Sequence, residues 1–181
     1  MKLSKLVFVT SNKNKVREIK EILGPKTKFV NVDIPEIQSL NLEEVITAKA
    51  KSAYSILKRP VIVEDVSFEV DALRGLPGPF IKYFLQKLGT EGLLALIGNA
   101  SKSTKAIAAV GFYDGNKLKI FTGIVEGTLS KKSIGESGFG FDRIFIPNGY
   151  TQTFAQMEIT KKNKISHRAN ALRKLKRYLN K

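Results

Sequence analysis

Two adjacent carboxylates, Glu64 and Asp65, end the apolar run Val61–Val63 in the middle of the chain. Ligands commonly bind at the ends of such strands in α/β proteins. Carboxylates beside a buried strand need positive partners, because isolated buried charge is costly. Mg²⁺ is a suitable partner, since it takes a few carboxylates together with water and phosphate oxygens. Glu44, near the start of the preceding predicted helix, is a second candidate ligand, although acids also favour a helix N-terminus electrostatically.

A polar run connects the first predicted strand to the first predicted helix. The N-terminus of a helix binds phosphate readily, because its unpaired N–H groups and its dipole both favour an anion. The run lacks the glycines and the Gly-Lys-Ser/Thr ending of a P-loop, so the alternative is an ordinary helix cap with surface lysines. The candidate phosphate-binding residues are Thr10, Ser11, Asn12, Lys13, Asn14 and Lys15.

The only histidine of the chain lies in the segment Ser166-His167-Arg168, with Lys162 shortly before it. Ser166 is a typical N-cap for the last predicted helix, which places His167 and Arg168 as donors at its N-terminus. A Ser-His-Asp triad is disfavoured, because no Gly-x-Ser-x-Gly turn is present to hold a nucleophile.

A loop of alternating glycines and phenylalanines ends in a carboxylate. Aromatic rings in such a loop can stack on a nucleobase, and the carboxylate can accept its N–H groups. The alternative is a packed loop with core phenylalanines. The residues concerned are Gly138, Phe139, Gly140, Phe141 and Asp142.

Hydrophobic periodicity predicts the elements that position these side chains. Their order is strand, helix, strand, helix, then further strands, a hairpin at Asp114-Gly115-Asn116 and a last helix, which favours an α/β class with a mixed sheet. The predicted strands are 6–9, 29–32, 61–65, 105–113, 117–126 and 143–147, and the predicted helices are 16–23, 43–57, 80–88, 91–97 and 166–179.

The composition is that of an ordinary globular protein, 43% hydrophobic and 26% charged, and 181 residues predict a single domain, 1–181, of at most two lobes. The absence of cysteine excludes a disulfide framework, a thiolate nucleophile and cysteine-ligated zinc. No apolar run approaches the roughly 20 residues of a membrane span, and the N-terminus does not resemble a signal peptide. We therefore expect a soluble, cytoplasmic protein without membrane association.

The formal net charge is +15, with 31 Lys and Arg against 16 Asp and Glu. Such a balance indicates either a polyanionic partner or simply a lysine-rich surface. A basic nucleic-acid-binding protein without catalysis is therefore the alternative function. Because no helix-turn-helix, zinc-finger or RNP signature is visible, we expect no specific nucleic-acid binding.

Taken together, these segments resemble the ITPase family of non-canonical purine nucleoside triphosphate pyrophosphatases, such as those acting on dITP and XTP. The resemblance runs nearly end to end. It rests on several short motifs that occur together in the order and spacing typical of the family. These are Thr10, Asn12, Lys15 and Glu18; Glu44 with Lys49; Val61 to Asp65; Leu76 to Pro79 with Lys82; Gly138 to Asp142; and Lys162 with Asn163 before Ser166, His167 and Arg168.

The resemblance implies an elongated, two-lobed α/β fold around a long mixed β-sheet, with an active-site cleft between the lobes. It also implies Mg²⁺, a homodimer and a role in sanitising the nucleotide pool. It assigns the triphosphate to Thr10 through Lys15, the metal to Glu44 and Asp65, and proton acceptance to Asp65, with Lys15 adding charge stabilisation. Whether Asp65 is a base, a metal ligand or both stays open. The implied base-binding residues are Phe139, Gly140, Phe141, Asp142, Lys162, His167 and Arg168.

Two residues depart from the family pattern. Val66 stands where Ser or Thr is usual, which puts a hydroxyl contact to substrate in doubt, and Phe141 stands where Tyr or Trp is common.

The expected reaction converts ITP, dITP or XTP to the monophosphate and pyrophosphate. Hydrogen-bond donors at the edge of the base would donate to the 6-oxo group of hypoxanthine or xanthine. The 6-amino group of adenine would leave these donors unpaired, which disfavours its binding. On this hypothesis, Arg168→Ala loses most ITP turnover. A pyrophosphatase for pyrimidine or modified nucleotides and a catalytically inactive nucleotide sensor are the remaining alternatives.

Overall fold

The computed structural model describes residues 6–180. Met1 to Lys5 and Lys181, which the single-domain prediction includes, lie outside the described residues. The described residues form seven strands, β1 to β7, and five α-helices, α1 to α5. In chain order they are β1 Val7–Val9, α1 Lys13–Leu23, β2 Lys28–Val30, α2 Leu42–Leu57, β3 Val61–Val70, β4 Pro77–Gly78, α3 Ile81–Ile97, β5 Ser103–Tyr113, β6 Leu118–Leu129, β7 Phe145–Pro147, α4 Ile159–Ile165 and α5 His167–Leu179.

The strands form one mixed sheet in the order β2-β1-β3-β5-β6-β7, with β4 paired to β3. β1 runs parallel to both neighbours, so that Val7 lies opposite Lys28 on one side and Val61 on the other. β4 is antiparallel to β3, and β7 is antiparallel to β6. The predicted α/β class with a mixed sheet is confirmed.

The described chain divides into two compact units, each with its own buried core. In unit 1, apolar residues of β1, α2 and β3 pack together, among them Val9, Ile46 and Val63. In unit 2, the core is built around the aromatic residues Phe68 and Phe145. Unit 1 comprises residues 6–65, 108–123 and 168–180, and unit 2 comprises residues 66–107 and 124–167.

β3 is longer than the sequence predicts. The predicted strand ends at Glu64 and Asp65, but β3 continues to Val70, so this boundary is wrong. The prediction ended the strand at these two carboxylates, because buried carboxylates are costly unless a positive partner meets them. The strand passes through them because Lys15 and Arg168 form ion pairs with the buried Glu64 carboxylate.

The C-terminal helical region contains an additional helix. The predicted single helix begins at Ser166, but the structure places α4 before it, and Ser166 is an extended residue with ψ 155° between α4 and α5. The sequence signal for α4 is weak, because its seven residues carry apolar side chains only at the two ends, Ile159 and Ile165. The two short helices predicted at 80–97 form α3, which is interrupted at Gly89.

The predicted hairpin turn between β5 and β6 is confirmed, and Asp114 closes it. The Asp114 Oδ1 atom accepts the backbone N–H of Lys117 at 2.7 Å and that of Asn116 at 3.0 Å. These two N–H groups lower the pKa of Asp114 below its ordinary value, because they stabilise the ionised carboxylate.

Replacing Asp114 with alanine is expected to lower the free energy of unfolding by about 0.5–1 kcal/mol at pH 7, since two hydrogen bonds at a solvated turn are lost. The contribution is present above the unfolded pKa of about 4 and is lost as the pH falls through the lower folded pKa. Urea denaturation of both proteins at pH 7 and at pH 2.5 measures this. Asp114→Asn, which retains an acceptor oxygen, is the control, and an alanine effect of equal size at both pH values would contradict the account.

None of the helices in the described part of the chain is both long enough and apolar enough to span a membrane.

Candidate active site

The N-terminus of α1 is organised by the side chains of Thr10 and Asn12. Asn12 Oδ1 accepts the backbone N–H groups of Asn14 at 3.0 Å and Lys15 at 3.2 Å, and Thr10 Oγ1 accepts that of Asn12 at 3.2 Å. Asn12 is therefore the N-cap of α1, which agrees with the helix-cap interpretation of this run. The side chains from Ser11 to Asn14 are exposed, so this end of α1 faces solvent, where an anion can reach it.

Lys15 is the exception in this run, because its side chain turns inward. Its Nζ atom lies 2.8 Å from Glu64 Oε2, 3.2 Å from the Glu64 carbonyl oxygen and 3.4 Å from Asp65 Oδ1. The structure thus brings together the two segments that the sequence singled out for phosphate and for metal. The ammonium group of Lys15 lies beside both carboxylates.

Arg168 lies deep in unit 1, with only 2% of its surface exposed. Its Nε and Nη2 atoms each lie 3.0 Å from Glu64 Oε1, and its Nη1 atom pairs with Glu18. Arg168 was predicted to donate to the base. The structure shows its guanidinium binding two buried carboxylates, which is the arrangement that an arginine fork favours.

Asp65 is held between two ammonium groups. Its Oδ1 atom faces Lys15 as described, and its Oδ2 atom lies 3.0 Å from Lys49 Nζ. Lys49 also binds Glu36 Oε1 at 2.7 Å. Burial by itself lowers the pKa of Lys49, but the charges and hydrogen bonds of Asp65 and Glu36 outweigh it and raise the pKa above its ordinary value. Lys49 therefore carries a fixed positive charge at neutral pH.

The second predicted metal ligand, Glu44, is an exposed residue near the start of α2, and Ser39 Oγ donates to its Oε2 atom at 2.7 Å. Among the described residues, no group of three or more His, Cys, Asp or Glu side chains is placed to hold a metal by itself. Mg²⁺ does not require one, because it commonly binds one or two carboxylates together with water and substrate phosphates. The carboxylate donors Glu44 and Asp65, the latter 25% exposed, fit such a site in kind.

In unit 2, Asp142 and Lys162 form a buried ion pair. Asp142 Oδ2 accepts a hydrogen bond from Lys162 Nζ at 2.6 Å and one from the backbone N–H of Phe139 at 2.8 Å. Their side chains are 4% and 3% exposed. Lys162 Nζ also lies 5.5 Å from the ring centre of the half-buried Phe139. The structure thus joins the predicted phenylalanine loop to the predicted lysine, and Gly140 lies within that loop.

Phe141 belongs to the core of unit 2. Its ring stacks on Phe68 with centroids 4.2 Å apart, and it lies 5.5 Å from the buried His167 ring. The packed-loop interpretation therefore applies to Phe141, while Phe139 stays half-exposed. Val66 packs against the same core, and the nearby hydroxyl of Ser67 donates to Glu69 at 3.3 Å.

Replacing Gly138 with alanine is expected to disturb the Asp142 carboxylate directly. Gly138 has φ +76°, and a Cβ atom there would overlap Asp142 Oδ2. Gly149→Ala is a matched control, since Gly149 has φ +82° and open space. We expect Gly138→Ala to lose about 1–3 kcal/mol more unfolding free energy than the control, measured by urea denaturation. Equal losses would mean that the backbone conformation alone sets the cost.

Comparison with known proteins decides the family. A family model for the Ham1 family matches residues 6–178. The chain belongs to the Ham1 family. A relative from Hyperthermus butylicus named dITP/XTP pyrophosphatase is 41% identical over 180 residues, covering 96% of this chain and 94% of the relative. One from Candida albicans named inosine triphosphate pyrophosphatase is 40% identical over 201 residues, covering 98% of each.

The fold agrees with that of solved Ham1 structures. The structure of the Ham1 protein from Staphylococcus aureus superposes with a TM-score of 0.83 at 28% sequence identity, covering 97% of this chain and 98% of that one. These findings confirm the resemblance seen in the sequence, and they confirm the fold.

Four charged residues around Asp65 and Lys15 were not assigned a site role by the family resemblance, although the sequence pattern singled out Glu64 beside Asp65 as a carboxylate in need of a positive partner. They form a chain of alternating charge with the predicted ones, in which each contact joins a carboxylate to a cation. Three of them, Glu18, Lys49 and Glu64, lie in the family motifs, so a signal was present in the sequence. The partners of Glu36 could not be inferred from spacing. The four are Glu18, Glu36, Lys49 and Glu64.

Proposed function

We propose that the protein hydrolyses non-canonical purine nucleoside triphosphates, ITP, dITP and XTP, to the monophosphate and pyrophosphate. The observation that carries this proposal is Asp65, a partly exposed carboxylate held between the ammonium groups of Lys15 and Lys49. The names of the relatives from Hyperthermus butylicus and Candida albicans support the same substrates. Sanitation of the nucleotide pool is the corresponding role.

In the proposed reaction, water attacks the α-phosphorus. A new P–O bond forms, the bond from the α-phosphorus to the bridging oxygen breaks, and pyrophosphate leaves. Asp65 accepts the proton of the water, and Lys15 and Lys49 offset the negative charge that spreads over the phosphate oxygens. The capped N-terminus of α1, with Thr10 and the exposed residues after it, binds the triphosphate.

Mg²⁺ is the proposed cofactor, with Glu44 and Asp65 as its carboxylate ligands. When bound, it would supply positive charge to the phosphates and to the leaving pyrophosphate.

For the base, we propose that Lys162 and His167 of unit 2 donate to the 6-oxo group, while Phe139 stacks on the ring. The bond from Lys162 to Asp142 supports this role, because it fixes the ammonium in one orientation. Adenine would leave such donors unpaired, which a buried site penalises strongly. Arg168 is a weaker candidate for this role than the sequence predicts, since its guanidinium binds Glu18 and Glu64.

A substrate panel tests the proposal. Pyrophosphate release is measured from ITP, dITP, XTP, GTP, ATP, CTP and dTTP, each with Mg²⁺ and with EDTA. We expect fast, Mg²⁺-dependent turnover of the first three and little from the others. Absence of turnover with every triphosphate, together with salt-sensitive binding of nucleic acid, would favour the nucleic-acid-binding alternative instead.

We also propose, on the family resemblance, that the protein is a cytoplasmic homodimer. Light scattering coupled to size-exclusion chromatography measures the mass directly. A mass near 20.1 kDa, that of one chain, would contradict the dimer.

A further inference from the structure

Glu64 is a buried carboxylate shared by two cations. Its side chain is 2% exposed, and its two oxygens face in different directions: Oε1 lies 3.0 Å from Arg168 Nη2, and Oε2 lies 2.8 Å from Lys15 Nζ. A buried ionised carboxylate is stable only when such partners compensate it. Glu64 therefore links the interior of unit 1 to the lysine at the start of α1.

Lys15 is held at one point by oxygens on both sides of β3. Successive side chains of a strand point to opposite faces, so the carboxylates of Glu64 and Asp65 diverge. Lys15 Nζ meets both, because it lies at the strand edge, where it also binds the Glu64 carbonyl oxygen at 3.2 Å. β1 pairs with β3 at Val61 and Ile62 and ends at Val9, so the edge of β3 at Glu64 lies beyond the end of β1.

We propose that Glu64 is a positioning residue that fixes the Lys15 ammonium for the reaction without touching the substrate. This inference rests on the proposed function. A lysine side chain is long and flexible, and its charge can follow any nearby carboxylate. Without the charge of Glu64, Asp65 becomes the main anionic partner of Lys15, and the ammonium moves toward Asp65 and away from its present location.

Arg168 orients Glu64 and so affects Lys15 indirectly. Its Nε and Nη2 atoms fix Glu64 Oε1, which leaves Oε2 directed at Lys15. Glu18 binds the opposite side of the same guanidinium. Glu18 and Glu64 are thus chemically alike, both buried and both bound to Arg168, but only Glu64 contacts Lys15.

A double-mutant cycle between Glu64 and Lys15 tests the proposal. In the wild-type background, Glu64→Gln is expected to lower kcat for ITP roughly 10- to 100-fold, because small displacements of a catalytic group are costly. KM is expected to change less than about threefold, since the loss occurs in the transition state. In a Lys15→Met background, the same change is expected to lower kcat by less than about twofold, because its target is absent.

Glu18→Gln is the matched control, since it makes the same chemical change on the other side of Arg168. We expect it to lower Tm about as much as Glu64→Gln does and to lower kcat clearly less. If Glu64→Gln does not fold, Glu64→Asp takes its place in the cycle. That variant keeps the charge but shortens the side chain, so it is expected to lower kcat in the wild-type background only.

Three results would overturn the inference: an unchanged kcat in Glu64→Gln, an equal loss in both Lys15 backgrounds, or a loss confined to KM. Each of these results is interpreted on the condition that the wild-type protein hydrolyses ITP. A wild-type protein without ITP turnover would instead reject the proposed function, so the two failures are distinguishable.

Discussion

Asp65→Asn is expected to reduce kcat for ITP by about 10²- to 10⁴-fold, the usual contribution of a general base. Asparagine has nearly the shape of aspartate but cannot accept the proton of the attacking water, and it removes one proposed Mg²⁺ ligand. The side chain is 25% exposed, so we expect the loss of its ion pairs to Lys15 and Lys49 to cost little stability. Steady-state kinetics at saturating Mg²⁺ and thermal unfolding measure the two effects separately.

Asp33→Asn is the matched control, because it makes the same change at an exposed aspartate of unit 1. Its kcat is expected to equal that of the wild type. If Asp65→Asn retained more than a tenth of the wild-type kcat, Asp65 would not be the proton acceptor.

The second large effect is expected from Arg168→Ala, and it concerns stability. Removing the guanidinium leaves the buried carboxylates of Glu18 and Glu64 without this partner, which typically costs about 3–5 kcal/mol of unfolding free energy. Urea denaturation measures this loss. Arg177→Ala, an exposed substitution on the same helix α5, is expected to change the free energy by less than about 0.5 kcal/mol.

Equal stabilities of Arg168→Ala and Arg177→Ala would show that the buried charge network contributes nothing at this position. The expected instability also affects how activity is interpreted. Arg168 also orients Glu64, so loss of ITP turnover in Arg168→Ala supports a role in base binding only under two conditions. It must persist well below the Tm of the variant, and it must exceed the loss seen in Glu64→Gln.

The local features of the fold follow from the sequence because they depend on neighbouring residues. The predicted strand 6–9, the cap before the first helix and the predicted helix end at residue 23 all lie within one strand-turn-helix segment, and the structure contains each of them. The turn at Asp114 follows in the same way from a short sequence with high turn propensity.

The end of β3 could not be predicted, because the compensating charges come from distant parts of the chain. Lys15 is 49 residues from Glu64, and Arg168 is 104 residues from it. Local reasoning therefore treats two adjacent carboxylates as a strand end. The helix α4 was missed for a local reason, because its own sequence is short and mostly polar.

For the candidate site, the sequence predicted the kind of chemistry better than it predicted which side chains contact one another. The family resemblance placed Lys15 and Asp65 in one site, and the structure brings them into contact. The family resemblance also grouped Arg168 with His167 as base donors. Their surroundings differ: Arg168 binds carboxylates of unit 1, whereas the ring of His167 packs near Phe141 and Phe154 in unit 2.

The most direct test of the central claim is hydrolysis of ITP in ¹⁸O-labelled water with Mg²⁺, followed by mass spectrometry of both products. Attack at the α-phosphorus places one ¹⁸O atom in inosine monophosphate and none in pyrophosphate, which is the result we predict. Label in pyrophosphate would show attack at the β-phosphorus, and release of labelled orthophosphate with the diphosphate would show attack at the γ-phosphorus. Either outcome would contradict the mechanism proposed for Asp65 and Lys15.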